Sequence, residues 1–345
     1  MAPWIPRMHL FEIDDQPWFP SFLRAHVQAG LMHAWTMKLP LLQSCSPASI
    51  VVSTIRRVLS ERAVSQYTYI DFCAGAGGPT PAIERELNEQ LALARRHTSS
   101  STSSSSVGED DDKKQQQHPA TNGSTNGNTP SYATIAARPP TRDPNAPVNF
   151  VLTDLFPNLP AWKSAASKSS HLTFVPEPID ASCIPADLIA RYTSGPDKKI
   201  FRLFNLAFHH FDDPLARAIL RDTLRTSDAL GIFELQNRSI SSFVSCLLFG
   251  LFIFLIAPFL YWWSPTILIW VYIIPVVPFV LVFDGIVSSL RTRTADEVET
   301  LLRTCAPVDA TRDWVVISGQ ERFLWPCGYL SWVIAVKRGQ EPNGV

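Results

Sequence analysis

Residues 67–80, YTYIDFCAGAGGPT, decide the fold of this chain. The first six form a short apolar run of the kind that builds a buried β-strand. The glycines after it permit a tight turn and let the backbone approach a ligand where a Cβ would stand in the way. A helix that begins near Thr80 completes a strand–turn–helix unit. The segment therefore predicts a ligand site at the turn, although a tight connection without a ligand has the same pattern.

Two phosphate-binding motifs are excluded by the spacing of these glycines. The turn is not GxGxxG, the spacing typical of dinucleotide-binding folds. It is also not a P-loop, because no Lys-Ser or Lys-Thr pair follows the last glycine. A nucleotide or nucleoside bound at this turn would therefore be held by a motif of another class.

The rest of the chain alternates strand-like and helical segments, which predicts a mostly parallel, doubly wound α/β sheet. Helices are predicted over residues 80–96, 214–226 and 295–305, and an antiparallel pair of strands closes the chain. Residues 1–60 are rich in Trp and Pro and predict a helical cap. The predicted strands are residues 67–72, 149–152, 172–175, 200–206, 230–235, 314–318 and 331–337.

The turn DFCAGAGG resembles the D/E-x-G-x-G-x-G turn of class I S-adenosylmethionine-dependent methyltransferases. Cys73 replaces the first glycine of that motif, while Gly75 and Gly77 keep their positions. The resemblance covers roughly residues 62–89 and 148–337, apart from an apolar insertion. It implies a seven-stranded Rossmann-like sheet with an antiparallel last strand. It also implies S-adenosyl-L-methionine as the cofactor.

Acidic residues at the ends of later strands match the family as well. Asp154 falls where the family places a carboxylate that accepts from both ribose hydroxyls, and Asp180 with the amide of Ala181 falls where adenine is bound. Each Asp taken singly could instead cap a helix. The cofactor-binding residues that the resemblance implies are Asp71, Cys73, Gly75, Gly77, Asp154, Asp180, Ala181 and Asn205.

The fourth strand runs into His209 and His210. In the family that this chain resembles, the segment after that strand faces the methyl group of the cofactor. An imidazole has a suitable pKa for removing a proton from a hydroxyl acceptor. Glu234, at the end of the fifth strand, is a further catalytic or orienting candidate, with pairing to Arg238 as the alternative. We expect no metal here, because adjacent histidines rarely converge on one ion and Asp212 is not clearly spaced as a third ligand.

The N-terminal stretch from Asp14 to Phe19 is acidic and aromatic. It could form a lid over the acceptor pocket, or it could seal the sheet; sealing is the interpretation favoured here.

Residues 239–283 contain no Asp, Glu, Lys, Arg or His. They are long enough for two helices of bilayer depth, which take about 17–20 residues each, and they divide near Trp262 and Pro265. The segment predicts a hydrophobic hairpin, transmembrane or re-entrant, over 239–284. A buried pair of apolar helices is the alternative. The arginines that flank it predict that both ends, and the catalytic domain, lie on the cytoplasmic side.

The composition bears on partners and on the remaining segment. A net charge of −1 gives no reason to expect nucleic acid. The six cysteines show no paired spacing and are expected to be reduced. Residues 97–147 are rich in Ser, Asn, Gln and Gly and are predicted to be a disordered insertion. The predicted domains are therefore the cap 1–60, the α/β domain 61–96, 148–238 and 285–345, and the two insertions.

These observations predict a membrane-associated methyltransferase that acts on a hydrophobic small molecule or lipid-like substrate, with oxygen as the expected acceptor. The oligomeric state is left open. A catalytically inactive membrane adaptor on the same fold is the main alternative. A nicotinamide oxidoreductase is a third, weakened by the absence of GxGxxG.

Overall fold

The computed structural model describes residues 5–59, 61–103, 145–194 and 198–338, together with Pro3 and Asp143. Within these residues seven strands form one sheet in the order β3-β2-β1-β4-β5-β7-β6, and β7 runs antiparallel to both of its neighbours. This is the methyltransferase-like α/β fold, so the expected fold class is confirmed. The strands are β1 (Tyr67–Phe72), β2 (Asn149–Thr153), β3 (Leu172–Phe174), β4 (Lys199–Asn205), β5 (Ala229–Glu234), β6 (Trp314–Leu324) and β7 (Gly328–Lys337).

The helices of the described chain lie on both faces of the sheet and in the two insertions. A 3₁₀ turn spans Phe208–His210, and a π-helical turn spans Ile269–Ile273. The helices are α1 (Ser21–Thr36), α2 (Pro47–Val58), α3 (Glu61–Val64), α4 (Thr80–Ser103), α5 (Leu159–Ala166), α6 (Ala186–Thr193), α7 (Asp213–Thr226), α8 (Ile240–Leu260), α9 (Pro265–Leu268), α10 (Val276–Arg291), α11 (Ala295–Thr304) and α12 (Val308–Thr311).

Both faces of the sheet are covered, as expected for parallel strands buried from end to end. All six residues of β1 are buried, and so are all six of β5. Neighbours along β1 point into different cores: Tyr69 packs with α2 and α4 on one face, and Ile70 packs with α7 and α11 on the other. This arrangement places the carboxyl ends of β1, β2 and β4 along one edge.

The apolar insertion forms a hairpin whose first helix is α8. Its two long helices, α8 and α10, approach closely at Gly250, where a Cβ would lie 2.2 Å from Cγ2 of Val282. The second half is broken rather than straight, since it passes from α9 through the π turn into α10. The N-terminal helix α1 packs against the hairpin, and Leu23 and Val27 share a buried cluster with Ile253 and other hairpin residues.

In the described part of the chain, α8 is long and apolar enough to cross a bilayer, with a mean hydropathy of 2.6. The helices Pro265–Ile273 and Val276–Arg291 are bent by 64° relative to each other. They would add a second span only if together they formed one membrane crossing. A core helix of a soluble protein can be equally apolar, but it is mostly buried. Here 17% of the most apolar window of α8 is buried, so most of this helix faces outward.

The arginines that flank the hairpin are used inside the α/β domain. Arg238 binds Glu297 at 2.5 Å. The side chains of Arg291 and Arg293 are buried and donate to backbone carbonyls of the turn that carries the two histidines. Exposed loop charges are what the positive-inside rule counts. These buried arginines therefore do not support the predicted sidedness, which stays a prediction.

The serine-rich insertion is described only at its edges. Helix α4 continues to Ser103, past its predicted end at Arg96. Residues 104–142, and with them most of the predicted disordered insertion, lie outside the described residues.

Candidate active site

The turn after β1 passes through four positive φ angles, at Cys73 (66°), Gly75 (53°), Gly77 (104°) and Gly78 (48°). Such angles are nearly free for glycine but cost another residue about 1–3 kcal/mol. A Cβ built on Gly75 would meet no atom within 4 Å. The turn therefore presents bare backbone to open space, and Cys73 holds a strained position there.

Strand β2 and helix α5 hold this turn in place. The amide of Gly75 donates to Oδ2 of Asp154 at 2.8 Å, and the amide of Ala74 donates to the carbonyl of Thr153 at 3.1 Å. From the other side, Nε1 of Trp162 donates to the carbonyl of Gly75 at 2.9 Å. The backbone of the turn is thus fixed before any ligand arrives.

Asp154 is half-buried at the end of β2 and lines the cavity in front of the turn. Its second oxygen, Oδ1, accepts from the amide of Phe156 at 2.8 Å. A carboxylate oxygen has two lone pairs, so each oxygen can still accept from a further donor. Two neighbouring hydroxyls are donors of that kind.

Asp180 lies at the neighbouring strand end but is exposed. Its Oδ1 accepts from the amide and the hydroxyl of Ser182, at 2.8 and 2.7 Å. The carbonyl of Ala181 accepts from Arg202 at 3.0 Å. The structure brings this pair to the correct edge of the sheet but not into the lining of the cavity.

The pKa of the Cys73 thiol is affected by its burial and by the predicted carboxylates. Burial raises the pKa of its thiol, and the negative charges of Asp154, Asp71 and Asp180 raise it further. Both effects hold Cys73 as a neutral thiol.

Asp71 is buried behind the turn, where the hydroxyl of Thr80 donates to its Oδ2. Asn205, at the end of β4, donates to the same hydroxyl at 3.1 Å. Burial raises the pKa of Asp71 to about 7. Oδ1 of Asp71 and Oδ1 of Asn205 are buried with no hydrogen-bond partner. Two orphaned acceptors beside a Gly-rich turn suit a ligand that carries N–H donors.

A cavity of about 940 Å³ opens in front of the turn. That volume lies in the range of ligand-binding sites. Of the predicted site residues, those that line it are Cys73, Gly75, Asp154, Asn205, His209 and His210. Those that stand behind or beside the lining are Asp71, Gly77, Asp180, Ala181 and Glu234.

His209 is buried and is oriented by Glu234. Its Nδ1 lies 2.8 Å from Oε2 of Glu234, and its amide donates to Oε1 at 3.2 Å. Burial raises the pKa of Glu234 to about 8 and lowers the pKa of His209 to about 3. Both directions favour an uncharged pair. Glu234 therefore contacts the imidazole, while Arg238 pairs with Glu297 instead.

The N-terminal strap, residues 8–19, lies beside the cavity and is anchored on α10. The amides of Ile13 and Asp14 donate to the carboxylate of Asp284 at 2.7 and 2.9 Å. The amide of Met8 donates to the carbonyl of Leu290 at 3.0 Å. Glu12, Asp14 and Asp15 of the strap line the cavity, so the strap contributes polar groups to the site.

Glu12 is buried opposite the two histidines. Its Oε1 lies 3.6 Å from Nε2 of His209, and its Oε2 lies 3.9 Å from Nδ1 of His210. Oε1 also accepts from Ser288 at 3.0 Å and from Arg291 at 3.2 Å. Burial raises the pKa of Glu12 to about 7.

His210 is less buried and pairs with Asp15 of the strap, with Nδ1 and Oδ2 2.9 Å apart. Burial opposes ionisation of Asp15, but the hydrogen bond with His210 and the positive charge of Arg291 outweigh it. They hold the pKa of Asp15 below its usual value.

Sequence reasoning missed Glu12 and the roles of Asp15, Ser288 and Arg291. The one available signal was the acidic run from Glu12 to Asp15 in an otherwise apolar N-terminus. The stretch from Asp14 to Phe19 is predicted to be a lid or a seal, and that prediction includes neither Glu12 nor a polar cluster. Asp212, considered as a metal ligand, instead caps α7 by accepting from the amide of Leu215 at 2.9 Å.

No profile of a known protein family matches the sequence, and no curated protein does. Solved structures match at low similarity. An O-methyltransferase family protein from Burkholderia thailandensis is 11% identical with a TM-score of 0.37, over 84% of this chain and 56% of that one. Human N-acetylserotonin methyltransferase, solved with S-adenosylmethionine, is 10% identical with a TM-score of 0.35, over 84% and 54%.

A Rhodobacter sphaeroides protein described as a zinc-dependent alcohol dehydrogenase is 11% identical with a TM-score of 0.33, over 85% of this chain and 97% of that one. The chain spans about half the length of the first two structures. At 10–11% identity these likenesses concern the fold alone.

Proposed function

We propose that this protein is an S-adenosyl-L-methionine-dependent methyltransferase that works at a membrane surface. Its acceptor is the oxygen of a hydrophobic or lipid-like hydroxyl compound. The observation that carries this proposal is one cavity whose lining includes the glycine turn, Asp154, His209 and His210.

The residues around the turn fit the cofactor. Bare backbone at Gly75 admits a close approach, Asp154 keeps lone pairs for a ribose diol, and the orphaned Oδ1 of Asn205, which lines the cavity, suits an N–H donor. When bound, the cofactor supplies an electrophilic methyl carbon on sulfur. The protein's part is to align an acceptor oxygen with that carbon and to accommodate the proton it loses. The polar groups placed for this are Glu12, His209 and His210.

The hairpin supports a lipid-like acceptor. Helix α10 lines the same cavity through Leu281, Asp284, Gly285 and Ser288. On its outer surface the hairpin exposes large apolar side chains, among them Leu251, Leu255 and Phe259 of α8, at 56%, 64% and 75%. Exposed apolar surface of this extent is typical of a membrane or protein interaction site.

Both ends of the hairpin return to the same α/β domain, at β5 and α11, so that domain lies on one side of the membrane in this proposal. We infer the cytoplasmic side, where the cofactor would be met and where free cysteines stay reduced. Protease accessibility of a tag in the α/β domain, measured in sealed microsomes, tests the sidedness. Protection of that tag in intact microsomes would contradict it.

The function is tested with full-length protein reconstituted in lipid nanodiscs. The protein is incubated with S-adenosylmethionine labelled in its methyl group and a total lipid extract, and label that enters the organic phase is measured. We expect incorporation by the native chain and none by Asp154→Ala. Binding of S-adenosylhomocysteine without any transfer would favour the inactive adaptor. Absence of binding and of transfer would overturn the methyltransferase assignment.

A further inference from the structure

Three side chains that could act as ligands meet in the lining of the same cavity. The rings of His209 and His210 lie with their centroids 4.2 Å apart and their planes tilted by 35°. The carboxylate of Glu12 stands against both. One ligand atom from each of the three residues lies within 4.8 Å of the others. We propose that Glu12, His209 and His210 bind a divalent transition-metal ion, with zinc as the best match to two imidazoles and a carboxylate.

The spacing of the atoms is close to that of a ligand set. Two atoms each about 2.0–2.1 Å from a tetrahedral ion lie about 3.4 Å from one another. Oε1 of Glu12 is 3.6 Å from Nε2 of His209, and Oε2 is 3.9 Å from Nδ1 of His210. These two distances exceed that spacing by a few tenths of an ångström. Asp15, whose Oδ2 lies 2.9 Å from the same Nδ1, stands next to the set as a candidate fourth ligand and the second one with oxygen.

The neighbours of these residues are those that support metal ligands. A ligating histidine usually has its other ring nitrogen bound to a carboxylate, which fixes the ring and turns the remaining nitrogen to the metal. Glu234 contacts Nδ1 of His209 at 2.8 Å, which leaves Nε2 directed at Glu12. Ligating carboxylates are themselves hydrogen-bonded. Ser288 and Arg291 donate to Glu12 at 3.0 and 3.2 Å.

The charges around the cluster also favour a cation. Glu12, Asp15 and Glu234 place three carboxyl groups there. The guanidinium of Arg291 lies 3.2 Å from Glu12 and 3.6 Å from Asp15. It pairs with both carboxyl groups and weakens their attraction for a metal. Charges interact strongly in a buried site, so a divalent ion binds here by competing with Arg291 for Glu12 and Asp15. Glu234 contacts the other nitrogen of the His209 ring and supports that ligand without facing the ion.

The position of the ion gives it a role in the proposed methyl transfer. That role rests on the proposed function, whereas metal binding itself does not. The cluster lines the cavity that the glycine turn bounds, so an ion held there faces the acceptor. A cation in this position polarises an acceptor oxygen that binds it and makes its proton easier to lose. With the ion bound, Glu12, His209 and His210 act as its ligands and not as proton acceptors. Metal binding itself needs neither cofactor nor acceptor and can be measured alone.

The test uses full-length protein purified in detergent without a polyhistidine tag and dialysed against a chelator. Cobalt(II) is titrated in, with its visible absorption and the heat of binding as readouts, and zinc is then added to displace it. We expect one ion per chain. Glu12→Gln and His210→Gln each remove a ligand and weaken cobalt binding by about 100-fold or more. Glu234→Gln, which touches only His209, weakens it by roughly 10- to 100-fold.

Glu177→Gln, at an exposed glutamate outside the cavity, is the matched control and leaves cobalt binding unchanged. Melting temperature and S-adenosylhomocysteine binding are measured for every variant, so that loss of the fold or of the cofactor site is seen separately. Where one variant does not fold, the other still decides the question. No one-to-one cobalt binding by the native chain overturns the proposal. Binding that is unchanged in the folded Glu12→Gln or His210→Gln protein overturns it as well.

Discussion

Asp154 has two roles in this structure, since its carboxylate holds the turn through Gly75 and faces the cavity. Replacing it by alanine removes a bidentate acceptor and the support of the turn. We expect Asp154→Ala to weaken S-adenosylhomocysteine binding by roughly 30- to 1000-fold, the equivalent of about 2–4 kcal/mol. Calorimetry on the full-length protein measures this.

The exposed Asp187 on α6 serves as the control for that measurement, and Asp187→Ala should bind normally. Asp154→Asn keeps one acceptor oxygen and should show an intermediate loss. A folded Asp154→Ala protein with native affinity would show that the ribose assignment is wrong.

Asp71 predicts a pH dependence of stability. Burial raises its pKa to about 7 in the folded protein, from an ordinary value of 3.8. Between these values the unfolded chain has released the proton and the folded chain has kept it. The stability that this group contributes is therefore complete below about pH 4 and is lost as the pH rises to about 7.

Asp71→Asn cannot ionise and should not share this loss. Its melting temperature relative to the native chain should therefore rise between pH 5 and pH 8. Thermal unfolding at both pH values measures the difference, with Asp187→Asn as the control. A difference that does not change with pH would contradict the buried, proton-holding state of Asp71.

The position of the glycine turn could be predicted because its conformation depends on neighbouring residues in the sequence. Glycine spacing and a preceding strand define where the backbone must turn, and the carboxyl ends of parallel strands bring Asp154, Asn205 and His209 to the same edge. Glu12 could not be predicted, because its contacts with His209 and Ser288 join residues about 200 and 276 positions apart. The functional roles of Glu12, Asp154, Asn205 and His209 stay predictions.

Element boundaries followed from the sequence where one pattern dominates. Strand β1 begins and ends where expected because it is a wholly buried apolar run bounded by a polar residue and the turn. Strand β6 runs to Leu324, past its predicted end at Ser318. Its second half carries three consecutive polar residues, Gln320, Glu321 and Arg322, so the period-two pattern that predicts a strand is missing there.

The packing of the hairpin gives a prediction at the level of helices. A Cβ on Gly250 would lie 2.2 Å from Cγ2 of Val282, a stiff β-branched side chain. Gly250→Ala should destabilise the fold by about 1–3 kcal/mol, the usual cost of overpacking. Thermal unfolding in detergent measures the loss.

Val282→Ala removes the methyl group that the new Cβ would strike. The double variant should therefore recover much of the stability that Gly250→Ala loses, because the two substitutions are coupled. Additive losses in the double variant would contradict the close approach of α8 and α10.

The cap, the strap and the hairpin form one unit in the whole molecule. Helix α1 packs on the hairpin through Leu23 and Val27, and the strap is anchored on α10 through Asp284. A bilayer that held α8 would therefore also hold the elements that line the cavity. Removing the hairpin would expose Phe19 and its neighbours, so substitution on its outer face is the better test.

Leu247, Leu251 and Leu255 lie on one exposed face of α8, four residues apart. Replacing each leucine by lysine costs about 3 kcal/mol at the centre of a bilayer and little on a helix face that is already in water. We expect the native chain to sediment with membranes and to require detergent for release. The triple lysine variant should lose this association while its affinity for S-adenosylhomocysteine is kept.

A matched triple variant carries lysine at Leu93, Leu215 and Val308, which are exposed on the α/β domain at 53%, 40% and 74%. It should sediment with membranes like the native chain, because these positions lie outside the hairpin. The two variants add the same charge, so a difference between them isolates the outer face of α8 as the membrane contact. A native chain that stays in solution without detergent would leave that face without a bilayer, and its exposed leucines would then need a protein partner.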